Sequence, residues 1–361
     1  MSDSALQTFP IFEERPTDEY VEGWHQYISE TGYPERFDYV STSRPGDTDE
    51  VVLLSGELKV PTAKRGDHPL IPCPICSPDS PKFKIGRMAW FPQEKVVRFI
   101  GHDCAAKHFG ENYRVADKRF KLENLCHRFQ RMWAAAAPEM EALERYADKL
   151  APIAKAVEFS RVHLDDNAPG FASFLLAELG RYDGQIYLKE DTGVRERGQI
   201  VFTDTLLGTV DGMVFVSRNF RPHQTLLAIR EICADIKVPL PNWEVASGED
   251  DAAHEIINRG RRAEWMFRSI RKLRQDLEDA RNFLRDTNLA LLERWGRNAQ
   301  SPFASLVFRR EQGHRSISLR AETFAGAFYC NLIVPVDFFG KPIPSPKDPD
   351  IDGISMILEK L

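Results

Sequence analysis

"IPCPICSPDSPKFKIGRMAWFPQEKVVRFIGHDCAAKHFG", residues 71–110, decides how this chain is read. It places Cys73 and Cys76 in a C-x-x-C, then, after 27 further residues, Cys104 and His108 in a C-x-x-x-H. The first pair sits in a proline-flanked turn, "CPIC", whose free backbone N–H groups can donate to two converging thiolates. "KFKIGRMAWFP" and "KVVRFIG" then read as the two strands of a hairpin turning near Pro92 to Glu94. Gly101 ends the second strand, and "HDCAAKHFG" begins a helix on which Cys104 and His108, four apart, share one face.

Three thiolates and one imidazole are the ligand set of structural zinc, which needs no redox chemistry and no open coordination position. The spacing predicts Zn2+ held by Cys73, Cys76, Cys104 and His108, with His102 as the alternative imidazole. The order of knuckle, hairpin and helix carrying the second ligand pair resembles the treble-clef class of zinc fingers. The resemblance runs from Pro72 to Tyr113, with Ser77 where that class usually has a glycine after the knuckle. A redox C-x-x-C would open a helix within a βαβ pattern, which the surrounding prolines and the following hairpin oppose; cysteines without metal are the plain alternative. Treble-clef frameworks also house nucleases, and His102-Asp103 offers part of such a site. The helix partner is missing, because Cys104 and His108 are already ligands. Metal-dependent nuclease activity is therefore a minor alternative, and no catalytic residue is assigned.

Outward from this module, charge is uneven. Between Cys73 and Lys121 there are ten Lys/Arg against five Asp/Glu, on a chain of net charge −6. A basic module on an acidic chain is the asymmetry of a part that meets a polyanion. Lys82, Lys84, Arg87, Lys95, Arg98 and Lys107 are the expected nucleic-acid contacts of the module. Trp90, Phe91 and Phe99 read either as base-stacking rings or as the finger's own core. A second basic cluster runs from Arg259 to Arg274, with Arg261, Arg268 and Lys272 as its expected contacts; a solvated helix face is the competing reading.

The rest of the chain predicts an α+β, multi-domain protein with long coiled-coil-like helices and small antiparallel β segments. Residues 1–65 carry a helix over 17–31 and two short strands around Ser55-Gly56; 66–121 form the zinc module. A helical arm spans 122–165, with a seam through Leu122, Leu125, Phe129, Met132 and Ala136 that resumes beyond Pro138. Residues 166–253 are an inserted α+β segment, with a hairpin turn at Asp211-Gly212 and a helix over 221–237. In 254–300 apolar residues from Met266 to Leu291 alternate steps of four and three, predicting one long helix packed against 139–160 as an antiparallel hairpin. A β hairpin turning at Gln312-Gly313 lies in 301–340, and 341–361 is a Pro/Asp-rich, extended tail. Cys126, Cys233 and Cys330, set in apolar surroundings, read as buried thiols.

No stretch approaches the ~20 apolar residues of a membrane span, and the N-terminus lacks the pattern of an export signal. A cytoplasmic, non-enzymatic zinc protein that binds DNA or RNA is the expectation. The alternative is a zinc-stapled interaction scaffold, with a protein partner or self-association through the helices.

Overall fold

The computed structural model describes residues 12–46, 50–66, 69–245, 250–310, 316–323, 326–334 and 337–346. The architecture is α+β, and the paired strands are antiparallel. Contacts group the chain into two compact units, residues 1–128 with 243–253, and residues 129–242 with 254–361.

The first unit is a small sheet covered on both faces. α1 (Asp18–Thr31) starts where the Tyr20 N–H donates to the Thr17 hydroxyl, and it stops at Gly32, whose φ is 76°. Four strands follow: β1 (Val52–Leu53), β2 (Leu58–Lys59), β3 (Ile71–Cys73) and β4 (Ser77–Phe83). The expected strand from Lys82 is broken at Lys84, so β4 returns to pair with β3 and a new strand, β5 (Ile85–Phe91), begins. β5 turns through residues 92–95 into β6 (Val96–Gly101). β1 and β2 do not pair with each other; they lie end to end along the other edge of β5. Successive residues of β5 and β6 then enter different cores. Met88, Val97 and Phe99 pack with Trp24 and Ile28 of α1. Ala89, Phe91 and Ile100 pack with Ala105 and Phe109 of α2 (His102–Phe109) and Tyr113 of α3 (Glu111–Ala136). Phe91 and Phe99 are thus core residues.

The second unit has one large core. α4 (Met140–Asn167) begins after a turn at Pro138 and buries Met140, Leu143, Ala147, Leu150, Ala154 and Val157, as its spacing predicts. α5 (Phe171–Leu179) leads into β7 (Gln185–Glu196) and β8 (Gln199–Thr209), which pair as a ribbon. The ribbon turns at Arg197-Gly198, where both residues have positive φ. Asp211-Gly212 instead passes into a 3-10 turn over Met213–Val216, so no strand forms there. Gly212 is needed for close approach as well, since a Cβ would stand 1.9 Å from the Asp279 carbonyl oxygen.

α6 (Pro222–Ile236) is held at both ends from afar. The Glu158 carboxylate accepts from the N–H groups of His223 (2.7 Å) and Gln224 (3.2 Å) at its start. The Arg259 guanidinium donates to the Asp235 carbonyl in the last turn and to the carbonyls of Val238 and Pro239 just beyond it, at 2.7 to 3.0 Å, and lies over the Trp133 ring.

α7 (Asp250–Phe283) buries Met266, Ile270, Leu273, Leu277 and Ala280, and Leu284 just past its end is buried too. There the helix breaks, and α8 (Asp286–Gly296) restarts with Thr287 exposed, which corrects the expectation of one helix through Leu291. The two apolar seams join a single core with α5, α6 and a three-stranded sheet, with Met266 against Cys233 of α6 at 3.5 Å. The sheet, ordered β11-β10-β9, comprises β9 (Phe303–Arg310), β10 (Ser316–Thr323) and β11 (Gly326–Ile333), the last unforeseen. The expected turn at Gln312-Gly313 lies outside the described residues. Of the expected tail, Ile343 is buried and Pro344 accepts from the Tyr146 hydroxyl at 3.1 Å; residues 347–361 are outside the described ones.

Candidate metal centre and an exposed basic helix face

The β3–β4 turn pairs Cys73 with Ser77, which folds Cys76 back beside Cys73. β6 then delivers Cys104 in the first turn of α2. The three Sγ atoms lie within 4.8 Å of one another, and Cys76 and Cys104 Sγ are 3.0 Å apart. Tetrahedral zinc with Zn–S of ~2.3 Å sets sulfurs about 3.8 Å apart; the Cys76–Cys104 pair is closer than that, and three soft donors gathered within 4.8 Å could hold one metal ion. Cys73 is buried and Cys76 exposed, which places the cluster at the rim of the α2-side core.

Electrostatics single out one thiol. Burial opposes ionisation of Cys76, but hydrogen bonds from Cys104 and Cys73 and the nearby Lys82 ammonium outweigh it and lower its pKa. Burial, reinforced by Cys76 and Cys73, pushes Cys104 up to about 12. Of these two thiols, the fold favours loss of the proton from Cys76. A bound cation would draw off the others.

The expected imidazoles stand apart from the three sulfurs. His108 is exposed, one turn beyond Cys104, with its ring edge-on to Phe109 at 4.7 Å. His102 sets Nδ1 3.0 Å from Glu57 Oε1 and 3.2 Å from the Tyr113 hydroxyl. Among the described residues, the converging donors are therefore the three cysteines.

The nine basic residues expected at a polyanion surface divide sharply. Arg87, 6% exposed, is clamped by Asp117 and Glu57. Arg98, 1% exposed, donates to Glu94 (2.6 Å) and to the Ser43 carbonyl (2.8 Å) above the Phe91 ring. Both guanidiniums neutralise carboxylates inside the fold, which corrects their reading as phosphate contacts. Lys95 pairs with Glu13. Lys82, Lys84 and Lys107 are exposed.

On α7, Arg261, Arg268 and Lys272 are all exposed on one face. The stripe opposite the buried seam reads His254, Asn258, Arg261, Trp265, Arg268, Lys272 and Gln275, again in alternating steps of four and three, and contains no carboxylate. Lys272 is bound by Asp276 at 2.7 Å, whereas Arg261 and Arg268 have no carboxylate partner among the described residues. Arg259 and Arg262, by contrast, are tied to Asp235 and Glu231 of α6. Trp265, 41% exposed at the centre of the stripe, escaped the sequence reading. Its signal was there: it falls in the complement of the seam, where an indole has no helix to bury it.

No protein-family model matches the chain, and no curated protein or solved structure matches it.

Proposed function

We propose that the chain is a zinc-stapled, non-enzymatic nucleic-acid-binding protein that works in a reducing cytosol. In this reading Cys73, Cys76 and Cys104 hold a structural Zn2+ in a treble-clef-like module. His108, one helical turn after Cys104, is the proposed fourth ligand and would have to turn toward the sulfurs to bind. The ion would tie the β3–β4 turn to α2, and its role is to hold the module together.

Nucleic-acid contact is assigned to the outer face of α7, and the observation that carries it is the Arg261–Trp265–Arg268 stripe. Guanidiniums without a carboxylate partner, two helical turns apart, fit phosphates, and an exposed indole between them fits an unpaired base, whose stacking is worth about 1–3 kcal/mol. Lys272 adds a cation once Asp276 is displaced. On the zinc module the exposed Lys82, Lys84 and Lys107 remain as supporting phosphate contacts.

Fluorescence anisotropy with a labelled single-stranded oligonucleotide across a salt series tests this. Wild type should bind with affinity that falls as salt rises, and Arg261→Glu with Arg268→Glu should abolish binding while leaving the thermal unfolding profile unchanged. Undiminished binding by the double variant, or no binding by wild type at low salt, refutes the assignment.

A further inference from the structure

The second unit holds an open cleft of about 770 Å3 at the root of the β7–β8 ribbon. Ribbon register pairs Lys189 with Asp204 and Asp191 with Phe202, so Tyr187, Lys189, Phe202 and Asp204 share one face, and it is this face that lines the cleft. Three of its rings are open to solvent: Tyr182 at 57%, Phe202 at 55% and Tyr187 at 41%. Tyr182 and Tyr187 meet edge to face with centroids 5.8 Å apart. Exposed aromatic surface gathered in one concavity marks an interaction site.

Charge and backbone narrow the occupant. The cleft carries Glu178 and Asp204 against Lys189, and neither carboxylate has an ion-pair partner among the described residues. That excess repels phosphate and attracts a cation, for which tyrosine and phenylalanine faces are the complementary apolar surface. The outer edge of β7 is also in use. The Lys189 N–H donates to Gln300 Oε1 (2.7 Å), and Gln300 Nε2 donates to the Lys189 carbonyl (2.6 Å). This pair of hydrogen bonds is what one residue of an added strand would make, and at Lys189 it is made by the side chain of Gln300 of the same chain.

We propose that this cleft docks an extended peptide segment of a partner protein through an arginine side chain. The guanidinium lies on the Tyr182 and Phe202 rings and meets Glu178 and Asp204, while the peptide backbone runs along β7 beyond Gln300. Arginine suits the site because its planar group stacks and donates at once. The site is independent of the α7 stripe and opposite to it in charge preference.

Calorimetry on the full chain tests it with two acetylated, amidated hexapeptides, Thr-Val-Thr-Arg-Thr-Val and the same sequence with neutral citrulline for arginine. The arginine peptide should bind about tenfold more tightly than its isostere, as loss of a cation from an aromatic and carboxylate site implies. Asp204→Asn with Phe202→Ser should remove that preference; both residues are exposed, and unchanged unfolding will show the fold intact. Equal binding of the two peptides, no binding of either, or an undiminished preference in the double variant overturns the proposal.

Discussion

The ring of Phe129 in α3 lies against the backbone of Gly260 in α7, where a Cβ would stand 2.2 Å from the ring's Cγ. Two helices approach closely at this point because one of them has no side chain. Glycine inside a helix costs about 1 kcal/mol relative to alanine. Gly260→Ala should nevertheless destabilise the chain, by about 1–3 kcal/mol, because the added methyl overpacks the crossing. A urea midpoint equal to or above wild type would show that the ring moves aside freely.

Leu277 lies at the centre of the buried seam of α7. Leu277→Ala should cost about 2–5 kcal/mol, the range for a leucine removed from a packed core. Thermal unfolding of the pure protein checks it; a change near zero would mean the seam is loosely packed.

Purified protein should carry about one equivalent of zinc, as expected of a single closed site. Cys104→Ser should release it, whereas Cys126→Ser, at a buried thiol outside the cluster, should not. A chelator should accelerate proteolysis within residues 71–110 and spare α4 to α6, because the ion's binding energy is folding energy for the small module alone. Elemental analysis and mass spectrometry of the fragments read both outcomes.

Acid should weaken the first unit through Asp117. Burial raises its carboxyl, but hydrogen bonds and charge from Lys121 and Arg87 prevail and hold it below the ordinary range. A folded-state pKa below the unfolded one means that the unfolded chain binds more protons as pH falls. The stabilisation is complete above the unfolded carboxyl pKa and is lost as pH drops through the folded value. Asp117→Asn should cost about 1–3 kcal/mol at neutral pH by leaving the buried Arg87 guanidinium short of a partner, and should flatten this acid dependence. Unfolding measured from pH 7 downward decides it; identical slopes in both proteins would exonerate the pair.

What the sequence conveys here depends on distance along the chain. The cysteine knuckle, the β5–β6 hairpin and the start of α2 are local events set by Pro74, the residues around Glu94 and Gly101, and they are legible. The burial of Arg87 and Arg98 is not, because it depends on Asp117, Glu57 and Ser43, all at least 30 residues away. In α3 Phe129 and Ala136 are buried as the spacing predicts, but Cys126 and Trp133 are buried where the spacing predicts Leu125 and Met132, and Leu122, Leu125 and Met132 are only half-buried. Leucines on the flank and a small thiol in the seam reverse the usual weighting. At the ribbon, Arg197-Gly198 makes the turn that Asp211-Gly212 advertises, since a preferred dipeptide yields to the packing of Gly212 against Asp279.

The two grips on α6 bear on how the second unit opens. A helix of this length ordinarily frays, because its first N–H and last C=O groups lack partners within the helix. Here the N–H groups of His223 and Gln224 are engaged by Glu158 of α4 and the Asp235 carbonyl by Arg259 of α7, residues that reach α6 only once three separate helices have assembled. The ends of α6 are thereby coupled to the cooperative event itself. Their amides should exchange with solvent deuterium at the rate of the helix centre, through the unfolding of the whole unit rather than by local breathing.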